Sequence, residues 1–238
     1  MKLRDLFEND ETEFFSKEDV DEVISAIKQN CGPWLKSYGW DNVILYRSRQ
    51  GYAAKTYDIF PIRTDRQPKS THPNIQDIIV DLFIEEAERQ GVRDPEGVAN
   101  RNNSAFCYVG DGDWFYGKPH VFFPVGDFRT TYVEGVTDLF AVLPVEFKSD
   151  YAHMAFGDNE VADWYRRQYE LSAEEAKKIV MQGAKVMYNR IKGKVVYDSL
   201  KNFFGGHSES RSDEIMVKAS KGLYVNPALM DLVLEKVG

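Results

Sequence analysis

The sequence predicts a single α+β domain whose sheet is largely antiparallel. Three observations lead to this prediction. The chain of 238 residues is long enough to bury a sizeable core. Stretches with helical periodicity and short apolar runs typical of strands both occur along it. They do not follow the regular strand–helix–strand order that a parallel sheet requires, so an antiparallel sheet with helices beside it is favoured.

The first predicted helix begins at Ser16, where Ser-x-x-Asp forms a capping box. Gly32-Pro33 should end it, so residues 1–35 make an N-terminal helical segment. A strand over residues 42–47 and a second strand, KTYDIFPI, follow. The apolar face of the helix consists of Val20, Val23, Ile24 and Ile27.

Three further helices carry start or stop signals. THPNIQDIIVDLFIEEAERQG has an apolar stripe at helical spacing and ends at Gly91. Residues 160–193 form the next predicted helix, in which Ser172 and Glu175 make a capping box. NPALMDLVLEKV, with Pro227 in its first turn, should be the last helix. The stripe of the first of these helices consists of Ile75, Ile78, Ile79, Leu82 and Phe83.

Four apolar runs in the middle and late parts of the chain read as strands. They are SAFCYV and HVFFPV, which GDGDWFYGKP joins, then FAVLPVEF and DEIMVKA. Residues 138–200 would then be a mostly helical insertion. We expect residues 1–238 to form one domain that contains it.

Composition narrows the classes of function. The formal net charge of −8 argues against broad, nonspecific binding to nucleic acid, which depends on clustered Lys and Arg. No apolar run approaches the ~18 residues of a membrane span, and MKLRDLFENDETEFF lacks the apolar region of a signal peptide. Cys31 and Cys107 are far apart, so reduced thiols in a cytoplasmic protein are the simplest interpretation.

Common catalytic and metal-binding motifs are not found in the sequence. His72, His120, His153 and His207 do not pair with another His or with Cys at ligand spacing, so we expect no bound metal. The sequence also contains no Gly-x-Ser-x-Gly and no phosphate-binding Gly-x-x-x-x-Gly-Lys.

Three polar residues at strand ends are candidates for chemistry. Arg47 ends the strand LYR, where its guanidinium either meets solvent or offers bidentate donors to a phosphate. Ser104 opens SAFCYV, where its hydroxyl either forms a turn or orients a ligand or carboxylate. Glu214 precedes Ile-Met-Val behind a polar loop, so it either marks the strand's end or points into a site.

The order of these residues resembles the cholera-toxin-like branch of the ADP-ribosyltransferase family. That branch has an Arg on its first core strand, a Ser-Thr-Ser strand, and a late Glu behind a target-recognition loop. Arg47 and Glu214 match the first and third features, and Ser104 stands where the triplet is reduced to one serine. Ser212, two residues before Glu214, replaces the Gln or Glu of arginine-modifying members, which speaks against a simple arginine-directed enzyme.

The resemblance implies an ADP-ribosyltransferase-like split β core, with flanking helices and the helical insertion, that uses NAD as its substrate. It implies Glu214 as the catalytic carboxylate beside an oxocarbenium-like ribose, with Ser104 holding that carboxylate or the ribose. Arg47 would neutralise the pyrophosphate, and Tyr116 would stack on the nicotinamide ring. Two further residues are candidates for phosphate or acceptor contact, although they can also be simply solvated: Arg63 and Arg101.

Three acids lie close together before the late strand, and Glu214 is favoured among them. Glu209 lies in the Gly-Ser loop, where a mobile charge loses the benefit of preorganisation. Asp213 should point to the opposite side of the strand by simple alternation.

The implied activity is the transfer of ADP-ribose from NAD to a macromolecular acceptor, with no metal. The acidic composition favours a protein acceptor over nucleic acid. Two alternatives stay open: an NAD glycohydrolase, and a noncatalytic binding or phage structural protein with the same fold. MKLRDLFEND is similar to N-termini of tailed-phage proteins, which suits each alternative and would place the protein in the host cytoplasm.

Overall fold

Helices and one antiparallel sheet make up the described part of the protein. In the sheet, every strand pair is antiparallel. The predicted α+β class with a largely antiparallel sheet is therefore confirmed. The computed structural model of the protein describes residues 15–48, 54–62, 75–109, 118–136, 167, 170–200 and 214–238.

Five α-helices lie in these ranges: α1 (Lys17–Asn30), α2 (Gly32–Tyr38), α3 (Ile75–Arg89), α4 (Ala173–Ile191) and α5 (Pro227–Val237). Both predicted capping boxes are confirmed, and each N-cap serine, Ser16 and Ser172, accepts a backbone N–H three residues on. The predicted end of the first helix before Gly32-Pro33 is also confirmed. The same two residues begin α2, because proline fits a first helical turn, where its missing N–H has no helical partner.

The sheet is built on two long strands that pair with each other. The described strands are β1 (Leu45–Ser48), β2 (Tyr57–Pro61), β3 (Ala105–Tyr108), β4 (Pro119–Val133), β5 (Val195–Tyr197) and β6 (Glu214–Val225). β4 pairs with β6 along most of its length. β6 also pairs with β3 and β2, and β4 also pairs with β1 and β5. Tyr46 of β1 and Tyr108 of β3 meet, so β6, β3, β1 and β4 close into a small barrel.

Both long strands exceed their predicted lengths. HVFFPV lies near the start of β4, which continues through the polar sequence GDFRTTY, and EIMVKA is the start of β6, which continues to Val225. A bulge lies between Val125 and Phe128, where β4 has one residue more than β6. Gly126 occupies it with φ of 72°, a left-handed conformation that favours glycine. A glycine that looks like a turn signal therefore lies inside a continuous strand.

The larger hydrophobic core joins the barrel strands to α1, α2 and α5. The predicted apolar face of α1 is buried in it. Trp34 of α2 is fully buried, and its ring centroid lies 4.6 Å from that of Tyr38 and 5.2 Å from that of Phe128. Burying a large apolar side chain contributes about 2–3 kcal/mol, so this aromatic cluster fixes α2 on β4.

A second, smaller core lies between the sheet and the helices α3 and α4. Phe83 of α3, Met187 of α4 and Met216 of β6 are buried in it. Glu86 is also buried, and its carboxylate accepts hydrogen bonds from Arg89 and from other donors around the end of α4. The second core therefore combines apolar packing with one buried, well-bonded carboxylate.

The segment predicted as a helical insertion, residues 138–200, is described in its second half. There α4 is helical and packs on α3. The same segment also contributes β5, which pairs with β4 at the edge of the sheet. β3 and β6 pair directly, so α4 does not separate them. The predicted strand FAVLPVEF, residues 140–147, lies outside the described residues.

Candidate functional site

The candidate residues on the first and last strands of the barrel lie on the two sides of β3. Tyr46 pairs with Tyr108, and Tyr108 pairs with Glu214, so these three residues form one cross-strand row. Neighbouring strands lie about 4.8 Å apart, so the β1 and β6 backbones lie within about 10 Å of each other across this row. Arg47 is the residue next to Tyr46. The fold therefore brings the backbones of Arg47 and Glu214 to the two sides of β3 although they are distant in sequence, while strand alternation points the Arg47 side chain to the face opposite that of Tyr46 and Glu214.

Glu214 is the first residue of β6, and its side chain is only 8% exposed. Its Oε1 lies 3.6 Å from Nη1 of Arg101, in the turn before β3, so the two groups form an ion pair. A carboxylate this buried has lost most of its hydration, and an opposite charge offsets part of that cost. The predicted carboxylate is thus fixed on a strand and held by a cation.

Arg47 lies among aromatic side chains. Its guanidinium carbon is 6.0 Å from the ring centroid of Phe122 and 5.8 Å from that of Tyr224, distances at which a cation is attracted to a ring. Nη1 is buried and makes no hydrogen bond to any part of the chain that the structure describes. Because a buried N–H is costly when unbonded, this atom is a candidate donor to an anionic group.

His120 stands directly opposite Arg47 in the pairing of β1 with β4. It is 2% exposed, and its Nε2 accepts a hydrogen bond of 2.9 Å from the backbone N–H of Ala54. In the neutral imidazole, an accepting Nε2 leaves the proton on Nδ1. His120 therefore ties the segment after β1 to β4 beside the Arg47 side chain.

The pKa of the Cys107 thiol, on β3, is affected by the charges of both Arg47 and Glu214. Burial raises the pKa of the Cys107 thiol to about 12, while the positive charge of Arg47 lowers it and the negative charge of Glu214 raises it. Both charges are therefore close enough to β3 to act on the same buried atom. The thiol stays protonated near neutral pH, so Cys107 is not a nucleophile in this region.

Ser104 lies in a turn and not beside Glu214. Its Oγ accepts from the N–H of Asn100 at 3.1 Å and donates to Oδ1 of Asn103 at 2.8 Å. Tyr108, not Ser104, is the partner of Glu214, and four residues of strand cover about 13 Å. Ser104 was predicted to hold the carboxylate, but the residue that the structure brings to it is Arg101, which was predicted to contact phosphate or the acceptor.

Several residues of the predicted site lie outside the described residues. They are Tyr116 and Arg63, predicted to contact NAD, and the neighbouring acids and serine Glu209, Asp213 and Ser212. Their predicted roles stay predictions.

Sequence reasoning missed the aromatic and histidine surroundings of Arg47. His120 and Phe122 are two residues apart in the predicted strand HVFFPV, so alternation alone indicates that they share a face. Their partners on β1 and β6 follow from the strand register, for which the sequence contains no short-range signal.

A shallow pocket of about 360 Å³ lies elsewhere, between α2 and β4, and contains none of the candidate residues. Its residue Asp198 already accepts from Arg129, with Oδ2 and Nη2 2.7 Å apart. The lining consists of Pro33, Ser37, Tyr38, Asp127, Phe128 and Asp198.

No group of three or more His, Cys, Asp or Glu side chains in the described part of the chain is arranged to hold a metal ion. None of the helices that the structure describes is both long enough and apolar enough to cross a membrane.

The chain was also compared with known proteins. No family model, no curated protein and no solved structure matched it. A proposal for the function therefore depends on the residues around β3.

Proposed function

We propose that the protein is an NAD-dependent mono-ADP-ribosyltransferase with an ADP-ribosyltransferase-like core, which moves ADP-ribose from NAD to a macromolecular acceptor. The observation that supports this proposal most is the position of Arg47 and Glu214 on the two strands that flank β3. One strand carries a cation and the other a carboxylate, which suits the two parts of NAD that need them, a pyrophosphate anion and a nicotinamide ribose on which positive charge develops.

Arg47 is the proposed anchor of the pyrophosphate. A guanidinium donates two parallel hydrogen bonds to phosphate oxygens, and such charge-assisted bonds are stronger than neutral ones. Phe122 and Tyr224 hold the guanidinium in place, and its buried Nη1 has no partner among the described residues. An anchor that is already oriented loses little side-chain entropy on binding.

Glu214 is the proposed catalytic carboxylate. In the reaction, the bond between C1′ of the ribose and the nicotinamide nitrogen breaks, and its electron pair leaves with neutral nicotinamide. Positive charge then develops on the ribose, where a fixed carboxylate stabilises it by a few kcal/mol. The start of β6 suits this role because strand pairing with β3 and β4 holds the backbone of Glu214.

The acceptor completes the transfer. A nucleophilic side chain attacks C1′, a new bond forms there, and the acceptor's proton is released to solvent. We favour a protein acceptor over nucleic acid, because the chain has a formal net charge of −8 and nucleic-acid binding depends on clustered basic residues. Transfer to water instead would make the protein an NAD glycohydrolase.

The test is incubation of the purified protein with NAD labelled in its adenylate half, in the presence of cell lysate. Released nicotinamide measures cleavage, and label that survives protease or nuclease treatment identifies the class of acceptor. The proposal expects both nicotinamide release and label that protease removes. Glu214→Gln should abolish most of both signals.

Glu235→Gln is the matched control, because Glu235 is an exposed carboxylate on α5 that does not belong to the barrel. This variant should behave as the wild type. Nicotinamide release without labelled macromolecules would favour the glycohydrolase. No cleavage by the wild type with any acceptor would overturn the proposed activity and favour a noncatalytic protein, in which Glu214 and Arg101 form a buried structural ion pair.

A further inference from the structure

Arg101 contacts two residues of the barrel rather than open solvent. Its side chain is 19% exposed, and Nη1 lies 3.6 Å from Oε1 of Glu214. Its guanidinium carbon lies 4.9 Å from the centre of the Phe106 ring, well within cation–π distance. Phe106 is on β3, the strand that pairs with the start of β6. Arg101 is therefore held between an aromatic ring and the proposed catalytic carboxylate.

The turn that carries Arg101 is held by a dense set of short-range hydrogen bonds. The N–H of Asn100 donates to Oδ1 of Asn103 at 2.8 Å and to Oγ of Ser104 at 3.1 Å. The N–H of Asn102 donates to Oδ1 of Asn100 at 3.0 Å. Asn100 and Ser104 are almost completely buried. Side chains of this kind fix a turn in one conformation, so the Arg101 backbone is well positioned.

The segment before this turn is itself tied to the two long strands. Lys218 of β6 donates from Nζ to the carbonyl oxygen of Gly97 at 2.8 Å. Arg129 of β4 donates to the carbonyl oxygens of Arg93, at 3.2 Å, and of Asp94, at 3.4 Å. The turn is thus connected to the same strand that begins with Glu214. These bonds hold the segment before the turn, and the pairing of β3 with β6 holds the segment after it, so the turn has a defined position relative to the Glu214 carboxylate.

We propose that Arg101 is a positioning residue that holds the Glu214 carboxylate in one place at the start of β6. The sequence alone predicts a phosphate or acceptor contact for Arg101, whereas the geometry assigns it to Glu214. Ser104 then contributes indirectly, because its hydrogen bonds stabilise the turn that positions Arg101. The catalytic consequence rests on the proposed function, but the pairing of Arg101 with Glu214 does not.

The kinetic test uses two substitutions of Arg101. Arg101→Met keeps an apolar stem over Phe106 and removes the charge. It should lower kcat for NAD cleavage about 30- to 100-fold and change KM for NAD less than about threefold, because transition-state stabilisation is lost while binding is kept. Arg101→Lys keeps the charge and should recover most of kcat. A rise in KM with unchanged kcat would instead place Arg101 on the substrate and overturn the proposal.

A double-substitution cycle tests the pairing without any activity. Arg101→Met leaves Glu214 buried without this cation and should lower the urea midpoint of unfolding by about 1 M. In the Glu214→Gln background, the same Arg101→Met substitution should lower the urea midpoint by less than half as much, because no buried charge remains at position 214. Arg93→Met is the matched control, since Arg93 is an exposed arginine in the preceding segment, and it should leave the midpoint unchanged.

The outcomes separate the two proposals. If Arg101→Met lowers the midpoint equally in the wild type and in the Glu214→Gln variant, the pairing is overturned, whatever the activity. If Arg101→Met does not fold alone, recovery of folding in the double variant supports the pairing, and failure of both overturns it. A coupled cycle in a wild type that never cleaves NAD supports the pairing and overturns the proposed activity alone.

Discussion

Replacing Glu86 with glutamine should weaken the polar contact that joins α3 to the turn between α4 and β5. The Glu86 carboxylate is 1% exposed. It accepts from Nε and Nη2 of Arg89 at 2.7 and 2.5 Å, from Nε2 of Gln90 at 2.9 Å, and from the N–H of Gly193 at 3.2 Å. Glutamine keeps the size of the side chain but has one acceptor oxygen and no charge. It therefore leaves part of this donor set unsatisfied.

The size of the expected loss of stability follows from the lowered pKa of Glu86. Hydrogen bonds from Arg89, helped by those of Gln90 and Gly193, lower the pKa of Glu86 from 4.5 to about 2. A difference of this size between the folded and unfolded chain corresponds to about 3 kcal/mol of stability near neutral pH. Arg89 is 49% exposed, so solvent screens part of the interaction. We expect Glu86→Gln to cost about 2 kcal/mol, or about 4–8 °C in the midpoint of thermal unfolding.

The lowered pKa of Glu86 also predicts how the loss of stability changes with pH. The pKa of Glu86 is lower in the folded chain, so its contribution is complete above the unfolded pKa of 4.5 and is lost as pH falls toward about 2. The difference in free energy of unfolding between wild type and variant should therefore be largest near neutral pH and should disappear near pH 2. Urea unfolding followed by circular dichroism at several pH values measures it.

Glu88→Gln provides the control, because Glu88 lies on the same helix and is exposed. It should change stability by less than about 0.5 kcal/mol. A Glu86→Gln deficit that stays constant from neutral pH to pH 3 would refute the reasoning, since an ionised carboxylate would then not be its source.

The remaining predictions concern the region around β3 and the two thiols. Arg47→Ala should raise the Kd for NAD about ten- to a hundredfold, from the loss of a charged hydrogen-bonded pair worth about 1.5–3 kcal/mol, as calorimetry can measure. Glu214→Gln should lower turnover about a hundredfold or more with little change in NAD binding, whereas Asp213→Asn should matter much less in the same nicotinamide-release assay. Cys31 and Cys107 should not react with a thiol reagent in the folded protein, because burial raises the pKa of each thiol to about 12; absorbance with and without guanidinium tests this.

Each of these predictions has an outcome that contradicts it. Unchanged NAD binding in folded Arg47→Ala, with exposed Arg190→Ala as the control, would remove Arg47 from the site. Loss of cleavage in Asp213→Asn, together with full activity in Glu214→Gln, would assign catalysis to the other carboxylate. Rapid labelling of Cys107 in the folded protein would show that β3 is not buried as described.

The helix boundaries follow from signals that lie within a few residues of one another. Ser16 with Asp19 and Ser172 with Glu175 each form the predicted capping box. Pro227 lies in the first turn of α5, as predicted. A cap satisfies backbone N–H groups of its own first turn, so its energy depends on local sequence and can be predicted without a partner.

The extent of the strands depends on partners that the local sequence does not reveal. The polar run after HVFFPV contains Gly126 and looks like a turn, yet pairing with β6 continues the strand through a bulge to Val133. Val195–Tyr197 lies in a segment predicted to be mostly helical, and pairing with β4 makes it an edge strand. A strand is stabilised by its neighbours, so its length is decided when the sheet assembles.

The sequence by itself determined the class of the fold, the helix caps, and the presence of Arg47 and Glu214 at strand ends. Only the tertiary structure placed those two residues on either side of β3, put Ser104 in a turn, and brought Arg101 to Glu214. The physical reason is the range of the interactions. Helix caps and apolar periodicity act over about four residues, whereas the partners of Glu214 come from distant parts of the chain and meet only when loop closure is offset by packing of the whole barrel.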